Sequence, residues 1–273
     1  MDRELFLPAD EEAELIKYLD SLYQGVFTRE AIAGHLENHV GSAFAEYTTQ
    51  VVRPRLPDRA RVLDVGSGFG SCVLAARQAG LDAFGIEVAP FEVEFARRRL
   101  RLRRPDDDPA AVYLQGDARR LDIAPSSLDA VTMWNVLEHI SEWQSVLDAA
   151  ARFLKPGGLL FIICPNYMAW RQEAHYHVPW RPRVLLPRDK AIQYLRSLGR
   201  NPAYFESAIF YRTNWEVLGY LRALEFEPRE LGTLAPRGIR GRNILRMLRH
   251  PIAFLRFYNP FKHSVELAAR KQH

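Results

Sequence analysis

The segment Val62-Leu63-Asp64-Val65-Gly66-Ser67-Gly68-Phe69-Gly70 limits the fold of this chain more than any other stretch. An apolar run ends in a carboxylate, turns through three glycines and continues into a helical pattern. Glycine lets the backbone bend sharply and lets a ligand approach where a Cβ would otherwise stand. A helix that starts there leaves N–H groups unbonded, which suits an anionic ligand group such as a carboxylate. Alone, such a loop also fits dinucleotide binders, and Glu87, closing the next apolar run, could hold ribose hydroxyls in either class.

The surrounding pattern is that of strands crossing over through helices. Residues 10–54 read as helical, with Leu15, Ile16, Leu19, Leu22 and Tyr23 at helical spacing and a second segment over 29–54. Strands are predicted at 61–65, 83–87, 112–115, 130–134 and 159–164. Helices are predicted at about 70–79, from Pro90 onward, and at about 142–154, where Lys155-Pro156-Gly157-Gly158 ends the helix and turns the chain. After Pro165 the alternation breaks into a stretch carrying Pro179, Pro182, Pro187, aromatics and histidines, which reads as a lid or insertion. Helices resume at 188–198 and 214–223, followed by strands at 226–231 and 265–269.

Further motifs follow in register. Glu87 closes strand two, Gly116-Asp117-Ala118 follows strand three, and Asn135-Val136-Leu137-Glu138-His139 follows strand four. Together with Asp64 and the glycines, this order resembles the class I S-adenosylmethionine-dependent methyltransferases, particularly the ubiquinone-biosynthesis-type branch, over roughly residues 60–166. The resemblance implies an α/β fold: a Rossmann-like three-layer sandwich with a seven-stranded, mostly parallel sheet and an antiparallel last strand, plus a helical N-terminal extension and a lid insertion. It divides the chain into N-terminal helices over 1–55, covering cofactor and substrate, and a methyltransferase domain over 56–273. That domain would carry a lid insertion at about 166–212 and a basic helical insertion at about 236–262.

The implied cofactor is S-adenosyl-L-methionine, with S-adenosyl-L-homocysteine as product. By resemblance, Asp64, Gly66, Ser67, Gly68 and Gly70 would surround its methionine moiety, and Glu87 would accept from the ribose hydroxyls. Asp117 would receive the adenine amino group beside Ala118, and Asn135 would lie near the sulfonium. Against these stand plainer readings: a Rossmann turn for another nucleotide, and a solvated strand-end carboxylate at Asp117.

An oxygen acceptor needs a base, and three histidines are candidates. His139 follows strand four, where it could act on the acceptor or pack the next helix. His175 and His177 alternate in the lid segment and would share one side if that segment were extended. No metal is expected, because two histidines alone are poor ligation evidence. The expected reaction is methyl transfer to a small-molecule acceptor: a hydroxyl of a glycan, lipid-linked sugar or secondary metabolite. The alternatives are an RNA or protein methyltransferase and a catalytically inactive cofactor-binding scaffold.

Charge and cysteine content narrow the context. A formal charge of +4 does not point to nucleic acid as a partner. Cys72 and Cys164 lie far apart in no metal-ligand spacing, which fits a reducing compartment, with Cys72 read as a small packed residue. Phe69 and Trp134 read as core or cofactor-edge packing. The start, Met1-Asp2-Arg3-Glu4-Leu5, has no apolar signal run, and no stretch reaches the roughly 20 apolar residues of a membrane span. A cytoplasmic protein is expected. Arg97 to Arg104 and Asp106-Asp107-Asp108 read as solvated surface. Residues 237–262 hold seven basic and no acidic side chains among apolar ones. That stretch reads either as a helix packed on the domain with solvated arginines or as a peripheral contact with an anionic membrane face or lipid-linked acceptor.

Overall fold

A computed structural model of the protein describes residues 9–23, 34, 40–173, 175–231 and 262–273. In chain order the first half comprises α1 (Ala9–Leu22), α2 (Ser42–Val52), β1 (Arg61–Val65), α3 (Ser71–Gln78), β2 (Asp82–Glu87) and α4 (Pro90–Arg103). Then come the single turn α5 (Pro109–Val112), β3 (Tyr113–Gln115), β4 (Leu128–Trp134), α6 (Trp143–Phe153) and β5 (Leu154–Pro165). The remainder is a hairpin of β6 (Arg171–Gln172) and β7 (Pro179–Trp180), helices α7 (Arg188–Ser197), α8 (Ala203–Ala208) and α9 (Asn214–Ala223), and strands β8 (Phe226–Glu230) and β9 (Ser264–Lys271).

Seven strands form one sheet in the order β3-β2-β1-β4-β5-β9-β8. The first five pair in parallel, and β9 runs antiparallel to both β5 and β8. This is the seven-stranded, mostly parallel, Rossmann-like architecture expected from the sequence. The strand order reverses between β1 and β4, the position where open sheets of this kind form a crevice at their carboxyl ends.

Strand alternation sorts the core into two layers. Leu63, Val65, Val131, Met133, Leu160 and Ile162 pack with α6 and α9 on one face. Val62, Ala130, Trp134, Leu159, Phe161 and Ile163 pack with α2, α3 and α4 on the other. Each large aliphatic side chain removed from water this way contributes about 1.5–3 kcal/mol. The mid-sheet strands are buried on both faces, so their sequences read as continuous apolar runs without alternation.

Asp64 breaks that rule. It points to the α2–α3 face and is only 5% exposed, opposite Thr132 in the parallel register, with the Thr132 hydroxyl donating to its Oδ1 at 2.6 Å. Burial pushes the Asp64 carboxyl up to about 7; the Thr132 hydrogen bond opposes the shift and the Glu87 charge adds to it.

Several elements differ from the sequence expectation. Residues 155–158 lie within β5, whose pairing with β4 shifts register between Leu128 and Ala130, so the Pro-Gly-Gly stretch bends a strand as well as ending a helix. Helix α8 and the β6–β7 hairpin carried no periodic signal, being six and two residues long. Ile16 and Leu22 are half-exposed, while Leu15, Leu19 and Tyr23 are the buried stripe of α1. The surface reading of 97–104 is corrected by Arg99, which is 3% exposed. Its guanidinium donates to the carbonyls of Phe69 (2.8 Å) and Val40 (3.0 Å) and to Ser71 Oγ (2.9 Å). Asp107 is also engaged, pairing with Arg77 and Arg104. The basic stretch 237–261 lies outside the described residues. No helix among the described residues is long and apolar enough to cross a membrane.

Two outcomes follow. At Gly70 (φ +80°) an added Cβ would stand 2.7 Å from Ala96 Cβ and from the Tyr113 ring and hydroxyl. Gly70→Ala should therefore lose about 2–4 kcal/mol in urea unfolding, from backbone strain plus overpacking. For Asp64, a carboxyl raised on folding stabilises most when it is protonated in both states, below about pH 4, and that stability is lost as pH climbs through about 7. The Tm advantage of Asp64→Asn over wild type should grow from near zero at pH 4 to a plateau above pH 7; a pH-independent difference would contradict the buried carboxyl.

Candidate functional site

The loop between β1 and α3 is held by several backbone hydrogen bonds. The N–H groups of Gly66 and Ser67 both donate to the Ile86 carbonyl, at 2.9 and 3.1 Å. Gly68 N–H donates to Glu87 Oε2 at 3.2 Å, and the Tyr113 hydroxyl donates to the Gly70 carbonyl at 2.8 Å. Gly66, Gly68 and Gly70 all have positive φ, the region glycine enters without strain. At Gly66 a Cβ would collide with Val136 at 2.4 Å, so the loop packs directly on the segment after β4.

Glu87 sits at the end of β2 with both oxygens oriented by backbone: Oε2 by Gly68, and Oε1 by Val88 at 2.7 Å and Ala89 at 3.0 Å. A second carboxylate, Glu92 on α4, lies next to it, and its Oε2 would be 3.4 Å from a Cβ on Gly68. Burial pushes Glu92 up to about 7, with the Glu87 charge adding to the shift. The Tyr18 hydroxyl donates to Glu92 Oε1 at 3.1 Å, and its ring stacks on Phe91 at 4.1 Å. Helix α1 thus rests on this edge. Neither Glu92 nor Tyr18 carries a local sequence signal; only the packing brings them to the loop.

Asp117 follows β3 and caps the short turn Ala118–Arg120, accepting from the Arg119 backbone N–H at 2.9 Å. The Arg119 guanidinium also engages both its oxygens, at 2.6–3.0 Å, and holds the carboxyl below the usual range. An adenine amino group would share that carboxylate with Arg119. Ala118 is buried beside it, and Gly116 (φ +148°) has nothing within 4 Å of a would-be Cβ, which leaves an open ledge. Asn135, just past β4, holds φ +54°, a left-handed conformation that asparagine tolerates better than most residues, and donates its N–H to the Ile163 carbonyl at 2.7 Å. Asp64 lies beneath the loop against Thr132, Cys72 and Trp134. Burial pushes the Cys72 thiol up, which makes it a packed residue and not a nucleophile.

The histidines separate into two groups. His139, in the turn Leu137–His139, and His175, in the lid, come together with ring centroids 5.1 Å apart and nearly perpendicular planes. The Tyr204 ring lies 5.4 Å from His175 and 6.2 Å from His139. His177 does not join them. The expectation that His175 and His177 share a side fails because the chain turns: the Glu173 carboxylate accepts the N–H groups of both His175 and Tyr176 at 2.7 Å, and the His177 N–H donates to the Glu173 carbonyl. His175 is therefore buried, and His177 is exposed at φ +53°.

Glu138, also absent from the sequence-derived site, is 1% exposed beside these rings, and its Oε2 has no hydrogen-bond partner. Burial pushes its carboxyl up to about 7, against the charges of His175 and Arg171. The lid is tied to this turn by Phe210 N–H on the Glu138 carbonyl at 2.7 Å and by the Arg212 guanidinium on the carbonyls of Leu137, Ile140 and Ser141. Among the described residues no group of three or more His, Cys, Asp or Glu side chains could hold a metal ion.

Residues 63–162 match the family model described as a methyltransferase domain. A ubiquinone biosynthesis O-methyltransferase of Paracidovorax citrulli is 36% identical over 107 residues, 39% of this chain and 44% of that protein. The biotin biosynthesis bifunctional protein BioHC of Cellvibrio japonicus is 30% identical over 156 residues, 55% of this chain and 28% of that protein. The matched stretches thus span less than half the length of these two relatives. Among solved structures, an S-adenosylmethionine dependent methyltransferase from Mesorhizobium loti shares the fold, with TM-score 0.51 and 19% identity, covering 83% of this chain and 98% of that one. Residues 63–162 thus match a methyltransferase-domain family model and lie within a seven-stranded, mostly parallel, Rossmann-like sheet.

Proposed function

We propose that this chain transfers a methyl group from S-adenosylmethionine to a hydroxyl of a small-molecule acceptor. The observation that carries the reading is the geometry of the 66–70 loop against Glu87. A backbone-oriented carboxylate faces a glycine turn at Gly68, where Glu92 Oε2 would be 3.4 Å from a Cβ, and the space at Gly116 after β3 is open. That edge fits a ligand with a diol, an adenine and a positive charge. Glu87 would accept from the ribose hydroxyls, Asp117 and the Ala118 backbone would meet the adenine, and Gly66, Ser67 and Gly68 would border the methionine part. Asp64 and Glu92 lie on the side where a cation would lie, and a positive charge there would favour the ionised forms that burial disfavours. The cofactor supplies an already activated methyl, so the chain's own work is to orient the acceptor, exclude water and receive a proton.

The hydroxyl part of the proposal is supported by the paired imidazoles. His139 Nδ1 lies 2.7 Å from the Ala208 carbonyl, which can only accept, so Nδ1 carries a proton, and in the neutral ring the lone pair is on Nε2, 4.0 Å from Glu138 Oε1. An imidazole in that form can take a proton from an acceptor hydroxyl. Val136, packed on Gly66, is three residues before His139, so the base side and the cofactor edge are joined through one rigid turn.

Calorimetric titration with S-adenosylmethionine tests this reading. Wild type should bind, and Glu87→Gln, which keeps an acceptor oxygen for the loop, should bind about 10–100-fold more weakly through loss of about 1.5–3 kcal/mol of charge-assisted hydrogen bonding. Absence of binding by the folded wild type, or equal affinity in the variant, would overturn it.

A further inference from the structure

The lid contains a buried arrangement that the domain's cofactor edge does not require. Glu173 is fully buried yet receives four donors: the N–H groups of His175 and Tyr176, each at 2.7 Å, the Tyr167 hydroxyl at 3.1 Å and His175 Nδ1 at 3.1 Å. Burial alone would raise this carboxyl, but the hydrogen bonds from His175 and the Tyr176 N–H, with the Arg171 charge, act the other way and hold Glu173 below the usual carboxylate range. An ionised carboxylate at Nδ1 fixes the proton there and leaves the lone pair on Nε2. It also holds the ring's angle and compensates the charge the ring gains on taking a second proton.

We propose that His175 is the catalytic base that takes the acceptor's proton, and that Glu173 is its positioning residue, fixing the imidazole's tautomer and stabilising its charged form. The inference rests on the hydroxyl-methylating reading above and selects one base among three histidines. His139 has a neutral carbonyl, not a carboxylate, at Nδ1, and it touches the His175 ring edge-on, with centroids 5.1 Å apart. His177 is exposed and turned away. The other groups facing His175 are Glu138 from the turn after β4, Arg171 from β6, Tyr167 and Tyr204. In the transfer, the acceptor's O–H bond breaks as its oxygen takes the methyl carbon, and the electron pair of the C–S bond stays on sulfur. The proton passes to His175 Nε2 and is later released to water. A base backed in this way suits an acceptor atom with a proton to lose and offers nothing to a thiolate.

The test uses the full chain in two arms. In the first, nitrogen-15 spectra of the histidine rings should find His175 as the Nδ1–H tautomer in wild type and as a tautomer mixture in Glu173→Gln. The proton on Nε2 in wild type, or an unchanged ring in the variant, would overturn the dyad. In the second arm, methyl-labelled S-adenosylmethionine is incubated with a small-molecule extract of the source cells. His175→Asn, which keeps a donor for Glu173, should lower label transfer about 10²–10⁴-fold in kcat while cofactor affinity changes less than about twofold. Glu173→Gln should also lower kcat, with KM nearly unchanged. Wild-type transfer in His175→Asn would overturn the base assignment and leave the parent reading standing. Absence of transfer and cofactor binding by wild type would overturn the parent reading and the catalytic role together, while the ring spectra decide the dyad independently.

Discussion

Two opposite charges grip the glycine turn after β1 from two sides. Glu87 takes the Gly68 N–H, and Arg99 takes the carbonyl of the next residue, Phe69. A left-handed glycine turn is otherwise among the least ordered pieces of backbone, because glycine loses the most freedom when it is fixed. Binding at such a turn is tight only if that entropy has been spent during folding. The buried Arg99 guanidinium does this at a cost: burial lowers its pKa to about 10, and the carbonyls and the Ser71 hydroxyl it reaches offset the desolvation. Because it also holds the Val40 carbonyl, the same side chain joins the glycine turn to the backbone just ahead of α2.

The proposed acceptor side is built by a different logic. Its residues come from the turn after β4 and from a segment with little regular structure, so their positions depend on polar anchors and not on a ladder. Asn166, completely buried, is the main one. Its Oδ1 accepts from Met168 and Asn214, and its amide donates to the Lys262 carbonyl. Above it, Tyr167, Tyr176, Trp180, Phe205 and Tyr211 form an aromatic cluster continuous with Leu15 and Leu19 of α1 and with Phe69 of the loop. Helix α1, the glycine loop and the segment 167–211 therefore share one apolar cluster, and a change in one alters the packing of the others.

The sequence made the sheet legible because that information is local. An apolar run bounded by turn residues needs no tertiary context, and β1, α9 and the strand closing at Glu87 lie where the pattern puts them. Asp64, Glu87 and Asp117 stand within or just past strand ends for the same local reason. What escaped was decided by packing across long separations. Arg99 is one of several arginines in a charged run, and only the fold shows that it points inward. Glu138 and Glu173 are ordinary acids in sequence, yet burial pushes one carboxyl up while hydrogen bonds hold the other down. His175 and His177 alternate on paper, but one carboxylate that captures two consecutive N–H groups turns the chain between them.

The central claim is that the ledge running from Asp64 past Glu87 to Asp117 is shaped for a sulfonium nucleoside, with the His139–His175 wall beyond its reactive end. A crystal structure of the protein soaked with S-adenosylmethionine tests it most directly. The account predicts ribose hydroxyls on Glu87, adenine beside Asp117 and Ala118, and the methyl directed toward the two imidazoles. Density for the nucleoside in any other place, or its absence from a ledge left open at saturating concentration, would contradict it.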